Sequence, residues 1–339
     1  MEVKHNRIAI FNDTSFDHEH YGCRAVMGNL KSRLLGLGLD VVFTVPFNVD
    51  WRQHRSDYEK QGLFDAIVVN GEGSMHSSHA GWRARALSEI GQFAKSCCKV
   101  PSVVVNATFH NNDRQFYDAL KYFDLVFVRD SYSREQGESE NLEVSGVVYD
   151  LSLSLPFVGC LTNRNGIGVT DSVNASKNFL LRKFAMSTGS EFRAMTVPDT
   201  KNFQIKSLLK PHNFAKWVQQ KRQSSGVRFE TVEDFIEWLS TKELIVTGRY
   251  HTVTLCLLTE TPFICLESNT PKIRALLQDW GIDTKRLVEP ACLASSTIKT
   301  NDYSFSPEER SNIRANLNKN REATNAMFWQ LRELLVQTV

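Results

Sequence analysis

No apolar run in this 339-residue chain approaches the roughly 20 residues that a bilayer-spanning helix requires. The opening MEVKHNRIAIFND has only a short apolar stretch before polar residues, which reads as a strand and not as a secretion signal. The seven cysteines (Cys23, Cys97, Cys98, Cys160, Cys256, Cys265, Cys292) show no paired metal spacing. Several lie inside apolar runs, where a free thiol acts as a small hydrophobe. An odd count without a secretion signal points to a reducing cytoplasm and argues against structural zinc. HExxH, GxSxG, CxxC and DxD elements are all missing, so no bound divalent ion is expected. Charge of one sign is scarce too. The net is +2, with no long block of like charge, which argues against a nucleic-acid partner but leaves room for a local cationic site.

What is present is alternation. RIAIFN (Arg7–Asn12), VVFTVP (Val41–Pro46), AIVVNG (Ala66–Gly71), SVVVNAT (Ser102–Thr108) and LVFVRD (Leu125–Asp130) are continuous Val- and Ile-rich runs. Such runs suit strands covered on both faces, the pattern of a parallel sheet. Amphipathic segments lie between them; in Cys23–Leu37, for example, Val26, Leu30, Leu34 and Leu37 recur at helical spacing. A second series begins with GIGVTD (Gly166–Asp171) and predicts a helix around Ser176–Met186 and a strand around Phe192–Val197. The polar segment Lys201–Ser225 reads as partly helical. A strand at Gly226–Glu230, a helix at Val232–Leu239, and strands at Leu244–Gly248 and Pro262–Glu267 follow.

The fold class is therefore α/β, with two doubly wound Rossmann-like domains facing a cleft in the GT-B manner. The length supports two domains. They are expected at 1–160 and 161–305, with the boundary in the Pro, Gly, Thr and Asn cluster of Pro156–Asn165. The segment 306–339 predicts a closing helix that packs back toward the first domain, capped by Ser306 with Pro307 at its first position.

Ligands of open parallel sheets bind beyond strand carboxyl ends, so the residues following each strand are the candidates. After Leu244–Thr247, Gly248 permits a tight turn, and Arg249 and His251 stand where a helix begins. Helix starts favour anions, a guanidinium grips a carboxylate or phosphate with two prongs, and imidazole suits proton transfer. The plainer alternative is a structural Arg–carboxylate pair beside a backbone-bonded histidine. Glu267-Ser-Asn-Thr-Pro-Lys272 offers a second helix start, with Thr270 as N-cap and Lys272 in the first turn. In the first half, Asn70-Gly-Glu-Gly-Ser74 is a glycine turn without a P-loop lysine; either Glu72, Ser74 and His76 face the cleft from it, or it is a plain surface turn. Asn106 and His110 follow another strand, and the first loop carries Asp13, Asp17, His18, Glu19 and His20. Arg129 and Asp130 read most simply as a mutual pair or a helix cap. Asp171 and Asp199 lack the context for a carboxylate pair.

Taken in order, these elements resemble the polysaccharide pyruvyl transferase family. The likeness runs through His20-Tyr-Gly-Cys23, Asn70-Gly-Glu-Gly-Ser-Met-His76, Val128-Arg-Asp-Ser-Tyr-Ser133, Tyr149-Asp150 and Thr247-Gly-Arg-Tyr-His251 to Lys272. The resemblance implies a GT-B-like fold and metal-independent transfer of a pyruvyl group from phosphoenolpyruvate to two sugar hydroxyls as a cyclic ketal. It implies that Arg249 holds the donor anion and His251 protonates the enol carbon, with His20 or Asp13 as base. Gly248, Glu267, Thr270 and Lys272 complete the expected donor side; no cofactor is expected beyond the co-substrate. The expected acceptor is a saccharide or its lipid-linked form, reached from the cytoplasm, with peripheral association at the inner membrane face left open. The chain departs from the family at Asn70 and Glu72, where many members carry glycines. It also has no arginine directly after GVTDSVNASK, leaving Arg193 as the candidate second donor grip. Two other readings stay open: a nucleotide-sugar glycosyltransferase with Glu267 on the ribose, and a non-catalytic saccharide binder.

Overall fold

The Val- and Ile-rich runs form parallel strands, as their double-sided apolarity requires. In the computed structural model the described residues are 6–16, 19–59, 62–156, 163–197, 229–293 and 298–337. The helix expected in Lys201–Ser225 and most of the strand expected at Gly226–Glu230 lie outside them. The strands are β1 (Asn6–Asp13), β2 (Glu19–His20), β3 (Leu39–Pro46), β4 (Ala66–Glu72), β5 (Ser102–Ala107) and β6 (Leu125–Val128). They continue with β7 (Gly146–Val147), β8 (Ile167–Ser172), β9 (Glu191–Phe192), β10 (Thr196–Val197), β11 (Leu244–Gly248) and β12 (Phe263–Cys265). The helices of consequence are α1 (Tyr21–Gly36), α2 (Ser131–Ser139), α3 (Ala175–Thr188), α4 (Val232–Ser240), α5 (Tyr250–Leu258), α6 (Lys272–Asp279) and α7 (Pro307–Gln337).

The chain divides into two compact units. The first comprises Met1–Thr14, Val26–Leu155 and Ala315–Val339; the second comprises Ser15–Ala25 and Pro156–Arg314. In the first, six parallel strands run in the order β3-β1-β4-β5-β6-β7. Alternate residues serve opposite faces of this sheet. Ile8, Ile10, Val68, Val103 and Val105 pack with Val26, Leu30 and Leu34 of α1 and with Met327, Phe328, Leu331 and Leu335 of α7. Ala9, Phe11, Ile67, Val69 and Val104 pack on the other side with Leu87, Ile90 and Phe93. Both faces are apolar, and for that reason the strands are legible as unbroken runs and not as alternating ones.

In the second unit the described parallel strands run β12-β11-β8-β9. Each unit thus winds outward in both directions from one pair of adjacent strands, β1 and β4 in the first and β8 and β11 in the second. These are the topological switch points, where ligands of doubly wound sheets bind beyond the strand ends.

The single strand expected around Phe192–Val197 is instead two. β9 joins the parallel sheet, whereas β10 pairs antiparallel with β2, placing Thr196 opposite His20. The Arg193 N–H still bonds the Val169 carbonyl in the ladder (2.8 Å), and the chain then leaves the sheet as the Met195 N–H turns to the carboxylate of Asp171 (2.8 Å). The β2–β10 pairing also explains why the loop Ser15–Ala25 belongs to the second unit, not to the first domain where the sequence suggested it.

Helix ends follow their sequence signals. Ser306 and Glu309 form reciprocal bonds at the start of α7 (3.1 and 2.9 Å). Thr231 and Asp234 do the same for α4, which buries Phe235, Ile236 and Leu239 and lays Phe235 on the Tyr21 ring at 4.8 Å. Thr231→Ala is expected to lower the stability of the second unit by about 1 kcal/mol, read as a shift in the urea midpoint.

Candidate active site

At the first switch point a buried polar network joins the ends of β1, β4 and β5. Asn12 donates to the Asn70 carbonyl (2.5 Å), Asn70 donates to Thr14 (3.2 Å) and to the Glu72 carboxylate (3.1 Å), and Thr14 also donates to Glu72. Asn106 donates to Asn70 (3.4 Å) and accepts from the Leu151 N–H (3.4 Å). Asn12, Glu72 and Asn106 all hold left-handed backbones, with φ of 67°, 32° and 59°. Asparagine tolerates this conformation; for glutamate it is strain of about 1–3 kcal/mol, a feature concentrated at functional sites. Asn70, Glu72 and Asn106 are thereby brought together. Ser74, His76 and His110 are not part of this network. His76 lies against the Ser77 hydroxyl (3.2 Å) and His110 against the Tyr132 hydroxyl (3.0 Å).

Two first-unit candidates are put to structural use. Arg129 pairs with Asp150 (2.8 Å) and not with its neighbour Asp130; the two side chains are 1% and 0% exposed. Asp130 instead caps α2 through the Ser133 N–H (2.7 Å). Arg129 also donates through its Nε to the Thr108 hydroxyl. Asp13, proposed above as a base, is buried and salt-bridged to Lys31 (2.8 Å). The ion pair engages Oδ2 of that carboxylate.

The second switch point carries the strongest group. Gly248 is required there, because a Cβ would come within 2.6 Å of the Ser172 Cβ on β8. The Arg249 N–H bonds the Thr247 hydroxyl (3.0 Å), which in turn meets Thr170 (2.6 Å). Arg249 is the N-cap of α5 and extends one guanidinium nitrogen, Nη2, to Asp171. Its Nε is buried without a hydrogen-bond partner among the described residues. Asp171, set aside in the sequence, is therefore the residue that orients Arg249. Arg182 of α3 lies over the Phe192 ring at 4.1 Å; burial lowers its pKa, and nearby Asp171 acts in the opposite sense. Arg193 is engaged by Glu191, although its Nε also lacks a partner among the described residues.

His251 is the second residue of α5 and is buried against the first turn of α1. A Cβ on Gly22 would lie 2.3 Å from the His251 Cβ and 2.6 Å from its Nδ1, so only glycine admits the ring. Gly22→Ala is expected to destabilise the second unit by about 1–3 kcal/mol through overpacking, measured by thermal melting. The His20 ring meets His251 edge-on at 5.5 Å, and the His20 Nδ1 accepts the Cys23 N–H at 3.1 Å. One potential ligand atom from each of His20, Cys23 and His251 falls within 4.8 Å of the others, an arrangement able to hold a metal ion. The spacing His20-x-x-Cys23 was the available signal; His251 lies too far along the chain for spacing to reveal it.

After β12, the expected second helix starts one residue late. Pro271, not Thr270, is the N-cap of α6, and with φ −73° and ψ 16° it has already turned toward the helix without supplying a side-chain cap. Thr270 keeps its hydroxyl buried and unpartnered among the described residues. Lys272 places its ammonium over the Tyr250 ring (5.6 Å) and bonds Asn269 (3.2 Å). Burial raises the Glu267 pKa, while the Ser268 N–H and the cations Arg274, Lys177 and Lys272 pull it down. Lys177 donates to the Glu267 backbone carbonyl at 2.6 Å. The carboxyl edge of this sheet is thus lined with cations and with donors that have no partner among the described residues, which suits an anionic ligand.

Two doubly wound parallel units with such an edge define a GT-B-like α/β protein. A candidate UDP-N-acetylglucosamine 2-epimerase from Listeria monocytogenes is similar over 92% of this chain and 91% of its own, with 9% identity and a TM-score of 0.55. The UDP-GlcNAc 2-epimerase of Neisseria meningitidis covers 92% of this chain and 99% of its own at 10% identity, TM-score 0.48. No curated protein matches the sequence. The family model described as polysaccharide pyruvyl transferase matches residues 20–270. The chain belongs to that family, and at the coarse level it is a transferase. Among the described residues no helix is long and apolar enough to cross a membrane.

Proposed function

We propose that this transferase moves a pyruvyl group from phosphoenolpyruvate onto two hydroxyls of a saccharide, free or lipid-linked, releasing phosphate. The observation that carries the reading is Arg249. Asp171 fixes one arm of its guanidinium while the buried Nε is left without a partner, two residues before His251 on a helix start. A preset cation with an open donor is what a carboxylate or phosphate needs. Thr270 adds a buried hydroxyl with no partner among the described residues, and Lys272 a cation, on the neighbouring strand end.

In this reading His251 delivers a proton to the methylene carbon of the enol, C2 becomes oxocarbenium-like, and a sugar hydroxyl attacks it. Phosphate leaves, and the second hydroxyl closes the ketal. His20, beside His251, is the better placed candidate for accepting the hydroxyl proton, since Asp13 is held by Lys31. These are acid–base steps and need no cofactor. In this reading the reaction runs on the cytoplasmic side, where a lipid-linked acceptor would be met at the inner membrane face.

Ligand-dependent melting tests the donor. A ligand at a hundred times its Kd stabilises by about 2.7 kcal/mol, which for the melting of one unit of this size is a rise of roughly 5–10 °C. Phosphoenolpyruvate should produce such a rise in the wild type and none in Arg249→Ala. UDP, CMP and GDP should produce none. A rise with a nucleotide but not with phosphoenolpyruvate would favour a nucleotide-sugar glycosyltransferase, with Glu267 on the ribose, and would sink the pyruvyl reading.

A further inference from the structure

We propose that His20, Cys23 and His251 form a binding site for one divalent cation of the zinc class, and that its occupation withdraws His251 from proton transfer. The three residues come from separate segments of the second unit: the end of β2, the first turn of α1 and the start of α5. Each offers one ligand atom, and these atoms lie within 4.8 Å of one another. A tetrahedral ion with bonds of about 2.0–2.3 Å sets its ligand atoms about 3.5 Å apart, so modest side-chain rotations close the set. Gly22 lets the ring of His251 approach the very turn that carries Cys23.

The donor set selects the ion. Two imidazoles and a thiolate, with no carboxylate, suit zinc and its first-row neighbours and not magnesium or calcium. No fourth His, Cys, Asp or Glu among the described residues joins the trio, which leaves a position for water or an anionic ligand. His20 Nδ1 now accepts the Cys23 N–H; coordination through that nitrogen gives up one backbone hydrogen bond, and turning the ring over presents the other nitrogen instead. Cys23 loses its thiol proton to solvent on binding, so affinity falls with acidity. A metal-bound imidazole nitrogen has no proton to deliver. The loaded and proton-donating states of His251 therefore exclude one another, a consequence that rests on the pyruvyl-transfer reading, whereas the binding itself does not.

The test uses the whole chain, stripped with a chelator and titrated with Co2+ alone. A thiolate-to-cobalt charge-transfer band should grow to saturation at one equivalent and vanish when Zn2+ displaces the ion. Cys23→Ser should remove the band, and His20→Asn should weaken binding at least tenfold, both with an unchanged far-UV spectrum. No band, or a band that survives Cys23→Ser, overturns the site. A second arm follows phosphate release from phosphoenolpyruvate plus acceptor, which Zn2+ should suppress, with the half-inhibiting concentration at least tenfold higher in Cys23→Ser, the one member of the trio with no part in the proposed chemistry. A band without zinc inhibition overturns the withdrawal of His251 and keeps the site. A band in a protein that never turns over phosphoenolpyruvate brings down the pyruvyl reading with that consequence, and again keeps the site.

Discussion

Arg249→Ala is expected to lower kcat/KM for phosphate release from phosphoenolpyruvate by about a thousandfold, equivalent to about 4 kcal/mol of lost transition-state stabilisation. The size follows from the two tasks of the side chain. It supplies a fixed positive charge for the donor anion, and it neutralises Asp171, whose side chain is 7% exposed. Removing it leaves a buried carboxylate without its cation, so stability should also fall, by about 1–3 kcal/mol. Arg249→Lys separates the two. An ammonium still answers Asp171 and should restore most of the stability, but it cannot present a fork, so activity should remain about a hundredfold down. A lysine variant with near wild-type kcat/KM would mean that Arg249 serves Asp171 alone.

Arg129→Met should have the largest effect on stability, a loss of about 3–5 kcal/mol in the first unit. Asp150 would stay fully buried without the Arg129 guanidinium, although it would keep the Ser152 N–H (3.0 Å) and hydroxyl (2.6 Å). The double variant Arg129→Met with Asp150→Leu removes both charges and should recover more than half of the loss. Urea unfolding of the four proteins gives the coupling directly. A single variant within about 0.5 kcal/mol of wild type would mean that water reaches Asp150.

Where the sequence could be read, a physical signal was local. The runs Ala66–Gly71, Ser102–Thr108 and Leu244–Gly248 became β4, β5 and β11 because a strand buried on both faces must be apolar throughout. The Ser306 cap and the start of α5 beside Gly248 rest on chemistry within a few residues. What escaped was pairing at a distance. Asp171 meets Arg249 only because β8 and β11 are neighbours, and Arg129 meets Asp150 through a contact no spacing rule anticipates. His20 was placed with the wrong half because two-residue strands such as β2 and β10 leave no periodic trace. Thr270 looked like an N-cap, and a residue type alone does not reveal that Pro271 takes that position.

All nine residues of α5 are buried, so the helix that begins at Tyr250 has no wet face on which to fray. Its amides should exchange with deuterium only when the second unit opens as a whole, at the slow limit for that unit. Arg249 and His251 consequently ride on one of its most slowly exchanging segments. Their alignment is inherited from folding and need not be assembled when a ligand arrives, so dipoles aimed at a developing charge require little reorganisation during the reaction.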